Sequence, residues 1–204
     1  MDLWFSDLQT QNVKLSIRVE RQIFSQQSEV QRIDVFESKE FGRILALDGQ
    51  IMLTERDEFI YDEMITHVPM AVHKEAKDIL VIGAGDGGVV RELTRYDRVK
   101  KIDLVEMDPL VVEVCRQYLP QNASRLDDSR VKIHYENALK FLRKCENQYD
   151  LILLDHRMPE IDGVDTLMQL KEIFRKSGRE VPVVCHTTED ARKNINLYKA
   201  AGFA

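Results

Sequence analysis

Three features of this chain combine residue types and spacing that can carry chemistry. The first is Gly83-Ala-Gly85-Asp-Gly87-Gly88, which follows the apolar run from Ile79 to Ile82 and leads into Val89-Val-Arg-Glu92. Glycines let a chain turn tightly and let a ligand approach backbone N–H groups, and the start of a helix presents such groups unpaired. The second is Leu104-Val-Glu-Met-Asp-Pro109, which sets the Glu106 carboxylate 18 residues after Gly88. An acid at the end of the following strand, at that distance, reaches ribose hydroxyls. The bland alternative is a set of glycines that only turn the chain, with an acid that caps the helix starting near Pro109. The third feature is Asp86, a carboxylate inside the loop. Dinucleotides and sulfonium nucleosides share this layout, but Asp86 would repel a pyrophosphate and attract a sulfonium that carries an amine.

These residues need a scaffold that ends several strands together. From Asp78 onward, five apolar runs alternate with amphipathic stretches: Ile79 to Ile82, Ile102 to Val105, Val131 to Tyr135, Leu151 to Leu154 and Val181 to Cys185. That alternation predicts right-handed crossovers and a parallel, doubly wound α/β sheet, whose ligands bind at the carboxyl ends of the strands. Before residue 57 the pattern differs. Val13 to Val19, Ile33 to Phe36 and Arg43 to Leu47 read as short strands, with turn signals at Phe41-Gly42 and Asp48-Gly49, which predicts a small antiparallel β-domain. Thr54-Glu-Arg-Asp57 then precedes Phe59, Ile60, Met64, Ile65 and Val68 at helical spacing, a helix expected to be capped by that string and to close at Pro69. With no repeat and no Pro/Gly/Ser linker, the boundary is set by this change of period, giving units 1–56 and 57–204.

Composition narrows the function classes. The chain has 204 residues, 44% hydrophobic and 31% charged, which is ordinary for one or two globular domains. No apolar run reaches a membrane-span length of roughly 18 to 20 residues, and the first ten residues have no leader pattern, so a cytoplasmic location is expected. Net charge is -6, and all of the excess lies before residue 151. With no basic stripe, nucleic acid is not an expected partner, whereas a cationic ligand suits the acidic front part. Cys115, Cys145 and Cys185 have neither disulfide-like nor zinc-like spacing and are expected as buried free thiols, with no metal site. His67 and His73 read as surface or packing residues. Leu167, Leu170, Ile173 and Phe174 read as a helical core stripe, with Lys171-Glu172 on its solvated face.

Residues 1 to 155 contain the strings Leu3-Trp-Phe5, Leu47-Asp-Gly49, Thr54-Glu-Arg-Asp-Glu-Phe-Ile-Tyr-Asp-Glu-Met64, Val81-Ile-Gly-Ala-Gly-Asp-Gly-Gly-Val89, Val105-Glu-Met-Asp108 and Leu126-Asp-Asp-Ser-Arg-Val131. Through these strings the chain resembles the polyamine aminopropyltransferases, best known as spermidine synthases. The resemblance implies a small β-domain followed by a Rossmann-like, methyltransferase-like domain. It implies decarboxylated S-adenosylmethionine as co-substrate, with no tightly bound cofactor, and a diamine such as putrescine as acceptor. By the same likeness, Gln31, Gly83, Gly85, Asp86, Gly87, Glu106, Asn137 and Ala138 would bind the nucleoside, while Tyr61, Asp62 and Asp155 would face the amine. Asp155 would be the base that takes the amine proton, and the N-terminal sheet would form a homodimer. The chain departs from the family at Asn137, where an acid is usual, at Ala84, a mild change for a glycine, and at Asp62 and Met52, which replace polar residues near the amine.

From about Asp150 the likeness changes. Asp155-His-Arg-Met-Pro159, Asp162-Gly163, Val181-Pro-Val183, Thr187-Thr188 and Ala200-Ala-Gly-Phe203 resemble the second half of a response-regulator receiver domain, and Met158 stands where the synthases carry a second acid. A join at the strand ending in Asp155 would preserve a continuous sheet of order 3-2-1-4-5. It implies impaired turnover, or alternatively a non-catalytic module that binds a nucleoside or is phosphorylated at Asp155.

Overall fold

The computed structural model describes residues 2–145, 148–155, 166–172 and 181–186. Its organising element is a five-stranded parallel sheet of β7 (Asp78–Ile82), β8 (Lys101–Glu106), β9 (Val131–Tyr135), β10 (Leu151–Asp155) and β11 (Val183–His186), in spatial order β11-β10-β7-β8-β9. In order of appearance this is 3-2-1-4-5, as expected, with β7 central. Alternate residues of its strands feed two cores. Ile79, Val81, Ile102, Leu104, Leu151 and Leu153 face one side, and Leu80, Ile82, Val105, Ile152 and Leu154 face the other. A sheet covered on both faces explains why these strands read as continuous apolar runs.

The first core is closed by α2 (Gly88–Leu93) and α3 (Pro109–Tyr118), through Val89, Val90, Leu93, Val111, Val112 and Cys115. The second is closed by α4 (Ala138–Lys144) and by helical residues 166–172, through Phe141, Leu142, Leu167 and Leu170. Each such fully buried aliphatic side chain contributes about 1.5–3 kcal/mol. Ile173 and Phe174 of the expected stripe lie outside the described residues.

The N-terminal part holds more strands than its sequence announces. A hairpin, β1 (Leu3–Thr10) with β2 (Val13–Val19), precedes a four-stranded antiparallel meander of β3 (Arg21–Gln27), β4 (Arg32–Ser38), β5 (Gly42–Leu47) and β6 (Gln50–Thr54). Strands β4 and β5 again alternate. Ile33, Val35 and Leu45 join the first core of the parallel sheet, while Phe36, Ile44 and Ala46 pack on Ile17 and Val19 of the hairpin. The meander is thereby fixed over the parallel sheet and the site at its strand ends.

Three local expectations change. Helix α1 (Glu58–Val72) contains Pro69 rather than ending at it, and the chain continues one turn until the His73 N–H bonds the Pro69 carbonyl at 2.8 Å. A proline at that point forfeits one N–H bond and leaves the last turn to be held by packing of Met70. Asp57 does not cap the helix with its side chain; its carboxylate accepts the Thr54 hydroxyl at 2.5 Å. Of the three free cysteines, Cys115 is buried, whereas Cys145 and Cys185 are only half-buried. Among the described residues no helix is long and apolar enough to cross a membrane.

Candidate functional site

The carboxyl ends of β7, β8 and β10 meet at the glycine loop. Gly83 and Gly87 take φ of +79° and +93°, the left-handed conformations that reverse the chain twice between strand and helix. Ala84 also lies there, at φ +61°, so replacing a glycine with alanine at this point is a strained change rather than the mild one expected. Two glycines are required by close approach. A side chain on Gly85 would come 2.6 Å from Glu106 Oε2, and one on Gly88 would fall on Asp62 Oδ2. The loop has therefore shed side chains where the carboxyl groups press against it.

Glu106, at the end of β8, accepts the N–H groups of Gly85 at 3.1 Å and Asp108 at 2.9 Å. Burial pushes its carboxyl up to about 7, against the pull of these backbone donors and with added repulsion from Asp108. The helix cap imagined for Glu106 is supplied by Asp108, whose Oδ1 accepts the Leu110 N–H at 3.1 Å. Glu106 thus remains at the loop, where the donors it meets are main-chain N–H groups. Gln31 is buried, and its Nε2 donates to Asp108 Oδ2 at 3.2 Å, an oxygen that Ser28 Oγ also meets at 2.7 Å. It ties the N-terminal meander to the turn just beyond Glu106.

Asp86 and Asp62 share Gly88. Asp86 Oδ1 accepts the Gly88 N–H at 2.9 Å, and Asp62 lies against the same residue from α1. Burial raises the Asp86 carboxyl, partly offset by that N–H. Asp62 is 3% exposed, and its Oδ2 has no hydrogen-bond partner. Burial, then the charge of Asp86, then the carboxyl of Glu58 push Asp62 up to about 10. One turn earlier, Glu58 receives both Arg91 Nη groups at 3.0 and 2.9 Å, and this bidentate pairing holds it below the usual carboxylate range despite burial.

On the β10 side, the Tyr61 hydroxyl donates to Asp155 Oδ1 at 3.3 Å. Burial first, then the negative charges of Asp155 and Asp86, raise the Tyr61 phenol well above its ordinary value, so it remains a donor. Asp155 packs across Gly83, with its Cβ 2.9 Å from where a glycine side chain would start. At β9, Asn137 spends its Oδ1 capping α4, accepting Leu139 N–H at 3.0 Å and Lys140 N–H at 3.4 Å, with Ala138 as the first helical residue. Its Nδ2 points to Met107, 4.0 Å from the sulfur, leaving a neutral donor beside the Glu106 turn.

The structure thus gathers Tyr61, Asp62, Gly83, Gly85, Asp86, Gly87, Glu106 and Asp155 around one loop, with Gln31, Asn137 and Ala138 on its β8–β9 side. Sequence reasoning gave no role to Glu58 or Arg91. The only signal was the four-residue spacing of Glu58 and Asp62, one helical turn, opposite an arginine in the first turn of α2. His156, Met158, Pro159, Asp162, Gly163, Thr187, Thr188 and residues 200–203 lie outside the described residues.

A glycine-rich turn between β7 and α2, with an acid at the end of β8 in a sheet of this order, defines an α/β protein of the methyltransferase-like type. Comparison with known proteins is more specific. A model of the spermine/spermidine synthase domain matches residues 58–181, and a model of the spermidine synthase tetramerisation domain matches residues 3–55. The chain belongs to the spermine/spermidine synthase family. It is similar to the polyamine aminopropyltransferase of Alkaliphilus oremlandii, 59% identical over 159 residues, 78% of this chain and 56% of that protein. Its counterpart in Clostridium perfringens is 57% identical over the same shares. The chain therefore spans a little over half the length of these curated relatives. Among solved structures, it is similar to spermidine synthase from Thermotoga maritima, with TM-score 0.85, 38% identity, and coverage of 98% of this chain and 68% of that one. A spermidine synthase in complex with the transition-state analogue AdoDATO gives TM-score 0.84 at 37% identity, covering 98% and 69%. The synthase model continues to residue 181, past the point where a receiver-like segment was expected, and nothing in these comparisons supports that segment.

Proposed function

We propose that this chain carries the nucleoside-binding core of a spermidine-synthase-type aminopropyltransferase, and that it transfers an aminopropyl group from decarboxylated S-adenosylmethionine to putrescine. The observation that carries the reading is the pairing of an acidic residue, Asp86, inside the glycine loop with Glu106 against Gly85. A ribose matches Glu106, and a sulfonium with a primary ammonium matches Asp86, whereas the carboxylate of ordinary S-adenosylmethionine would be repelled there. Gly83, Gly85 and Gly87 would line the nucleoside, with Gln31, Asn137 and Ala138 on its far side. Tyr61 and Asp62 would face the amines.

In the reaction, the neutral putrescine nitrogen attacks the methylene carbon next to the sulfonium. A nitrogen–carbon bond forms, the carbon–sulfur bond breaks, and its electron pair stays on sulfur as methylthioadenosine leaves. Asp155 would accept the proton shed by the amine, held in place by the Tyr61 hydroxyl at 3.3 Å. A positioned base contributes about 10²–10⁴-fold, and alignment of nitrogen, carbon and sulfur supplies much of the remainder.

The same reading extends to organisation. Units 1–56 and 57–204 would be an assembly domain and a reaction domain in a cytoplasmic enzyme. Exposed Leu3, Trp4, Leu8, Val13 and Leu15 on the β1–β2 hairpin support self-association beyond a simple dimer. The test is release of methylthioadenosine from the decarboxylated nucleoside in the presence of putrescine. Amine-dependent release is expected, and binding without release in putrescine, spermidine or cadaverine would overturn the transferase reading while leaving the nucleoside site.

A further inference from the structure

Asp62 is an anomaly in a site built to bind a cation. It is 3% exposed, its Oδ2 has no hydrogen-bond partner, and it touches the loop at the glycine whose N–H holds Asp86. Every element packed around it brings charge. Glu58 lies one turn back on α1 and adds its carboxyl to the pocket; Asp86 comes from the loop; Arg91 Nη2 comes from α2, 3.7 Å from Oδ2. Arg91 is already engaged by Glu58 at 2.9 Å and by Glu92 at 2.9 Å. A buried carboxyl oxygen that meets no donor among the described residues, crowded by two further acids, favours the protonated form. The single guanidinium does not neutralise Glu58, Asp62 and Asp86 together.

We propose that Asp62 holds a proton in the ligand-free protein and gives it up to solvent when a ligand ammonium enters beside Asp86, so that one cation replaces another. The inference rests on the nucleoside reading above and deepens it by assigning Asp62 as a positioning and specificity group. The exchange balances: the oxygen–hydrogen bond of the Asp62 carboxyl breaks, the proton leaves as buffer acid, and the ammonium supplies hydrogen-bond donors in its place. A ligand with no amine has nothing to exchange. The site would therefore distinguish decarboxylated S-adenosylmethionine from methylthioadenosine by proton release as well as by affinity.

The test is calorimetric titration of the full chain at pH 8.5, in buffers of different ionisation enthalpy, which counts protons released. At that pH Glu106, pushed to about 7, is already ionised, Asp62, at about 10, is still protonated, and a primary amine near 10 or above stays charged. Close to one proton released per decarboxylated S-adenosylmethionine is expected, and close to none per methylthioadenosine. Affinity for the former is expected to rise about tenfold per pH unit above the range where Glu106 titrates. In Asp62→Asn, binding is expected without release and with that slope flattened. Equal proton counts for the two ligands, or undiminished release in Asp62→Asn, overturns the inference. Infrared spectra of the ligand-free wild-type protein at pH 8.5 give a second measurement that needs no variant. A protonated-carboxyl band that disappears on adding decarboxylated S-adenosylmethionine is expected, and its absence from the free protein overturns the exchange. Failure of methylthioadenosine itself to bind overturns the nucleoside reading instead, a result separable from the others.

Discussion

Strand β8 carries two acids three residues apart, one fully buried and one half-buried at the strand end, that the fold treats in opposite ways. Asp103 faces the second core, fully buried, and is met by Lys101 Nζ at 2.8 Å, His134 Nε2 at 2.8 Å and the Tyr149 hydroxyl at 2.6 Å. Burial opposes its charge, but these donors outweigh it and hold the carboxyl below the usual range. Glu106, at the end of the same strand, receives main-chain N–H groups only, and burial wins. Asp86, which accepts the Gly88 N–H, shares the second condition, and burial raises Asp62 as well, with Arg91 3.7 Å from its Oδ2. Asp103 is completed by side-chain donors from neighbouring elements, whereas Glu106, Asp62 and Asp86 at the glycine loop are not completed in this way among the described residues. A buried carboxylate costs several kcal/mol unless paired, so acids left incomplete are evidence of binding rather than of stability.

Breaking the comparison at its chemical end should have the largest effect. Asp155→Asn is expected to lower turnover by about 10²–10⁴-fold while changing nucleoside affinity little, as measured by single-turnover kinetics beside equilibrium titration. Next comes the completed acid. Asp103→Ala strands Lys101, His134 and Tyr149 and is expected to cost about 3–5 kcal/mol in urea unfolding. The same acid sets a pH response. Its folded value is depressed, so its stabilisation is present above the usual carboxylate range and lost as pH falls through the lowered value.

The incomplete acid should behave in reverse. Glu106→Gln is expected to weaken methylthioadenosine by about 10- to 100-fold, the worth of hydrogen bonds to a charged group, with little loss of stability. Because the folded Glu106 carboxyl is raised to about 7, the ionised form proposed to hold the ribose of methylthioadenosine fills in as pH rises through 7. Affinity in the wild type should therefore climb between pH 6 and 8 and then level, and a flat profile would remove Glu106 from the contact. The smallest effect is at the strained loop residue. Ala84→Gly relieves a left-handed alanine and is expected to add about 1 kcal/mol of stability at unchanged affinity.

Much of this site was legible because the signals are local. The strand before Gly83, the loop and the acid after β8 are contiguous strings, and the parallel strands, covered on both faces, appear as unbroken apolar runs. What was missed depends on partners far along the chain. Strand β1 buries only Asp7, whose Oδ2 accepts the Ile51 N–H at 3.0 Å, so no alternation of apolar residues announces it. The protonation of Asp62 depends on Glu58, Asp86 and Arg91 from three elements, and the strain at Ala84 on a φ angle that composition does not reveal. Asp103, His134 and Tyr149 meet only once β8, β9 and the segment before β10 are brought together. Pro69 is tolerated inside α1 because tertiary packing outweighs a local stop signal.

The central claim is that a negative side chain within the glycine loop selects a positively charged nucleoside, and the direct measurement is titration of decarboxylated S-adenosylmethionine and methylthioadenosine into the wild type and Asp86→Asn. The expected result is a loss of at least about tenfold for the charged ligand in the variant, with the neutral ligand changed by far less. Equal affinity of the charged ligand for both proteins would contradict the account.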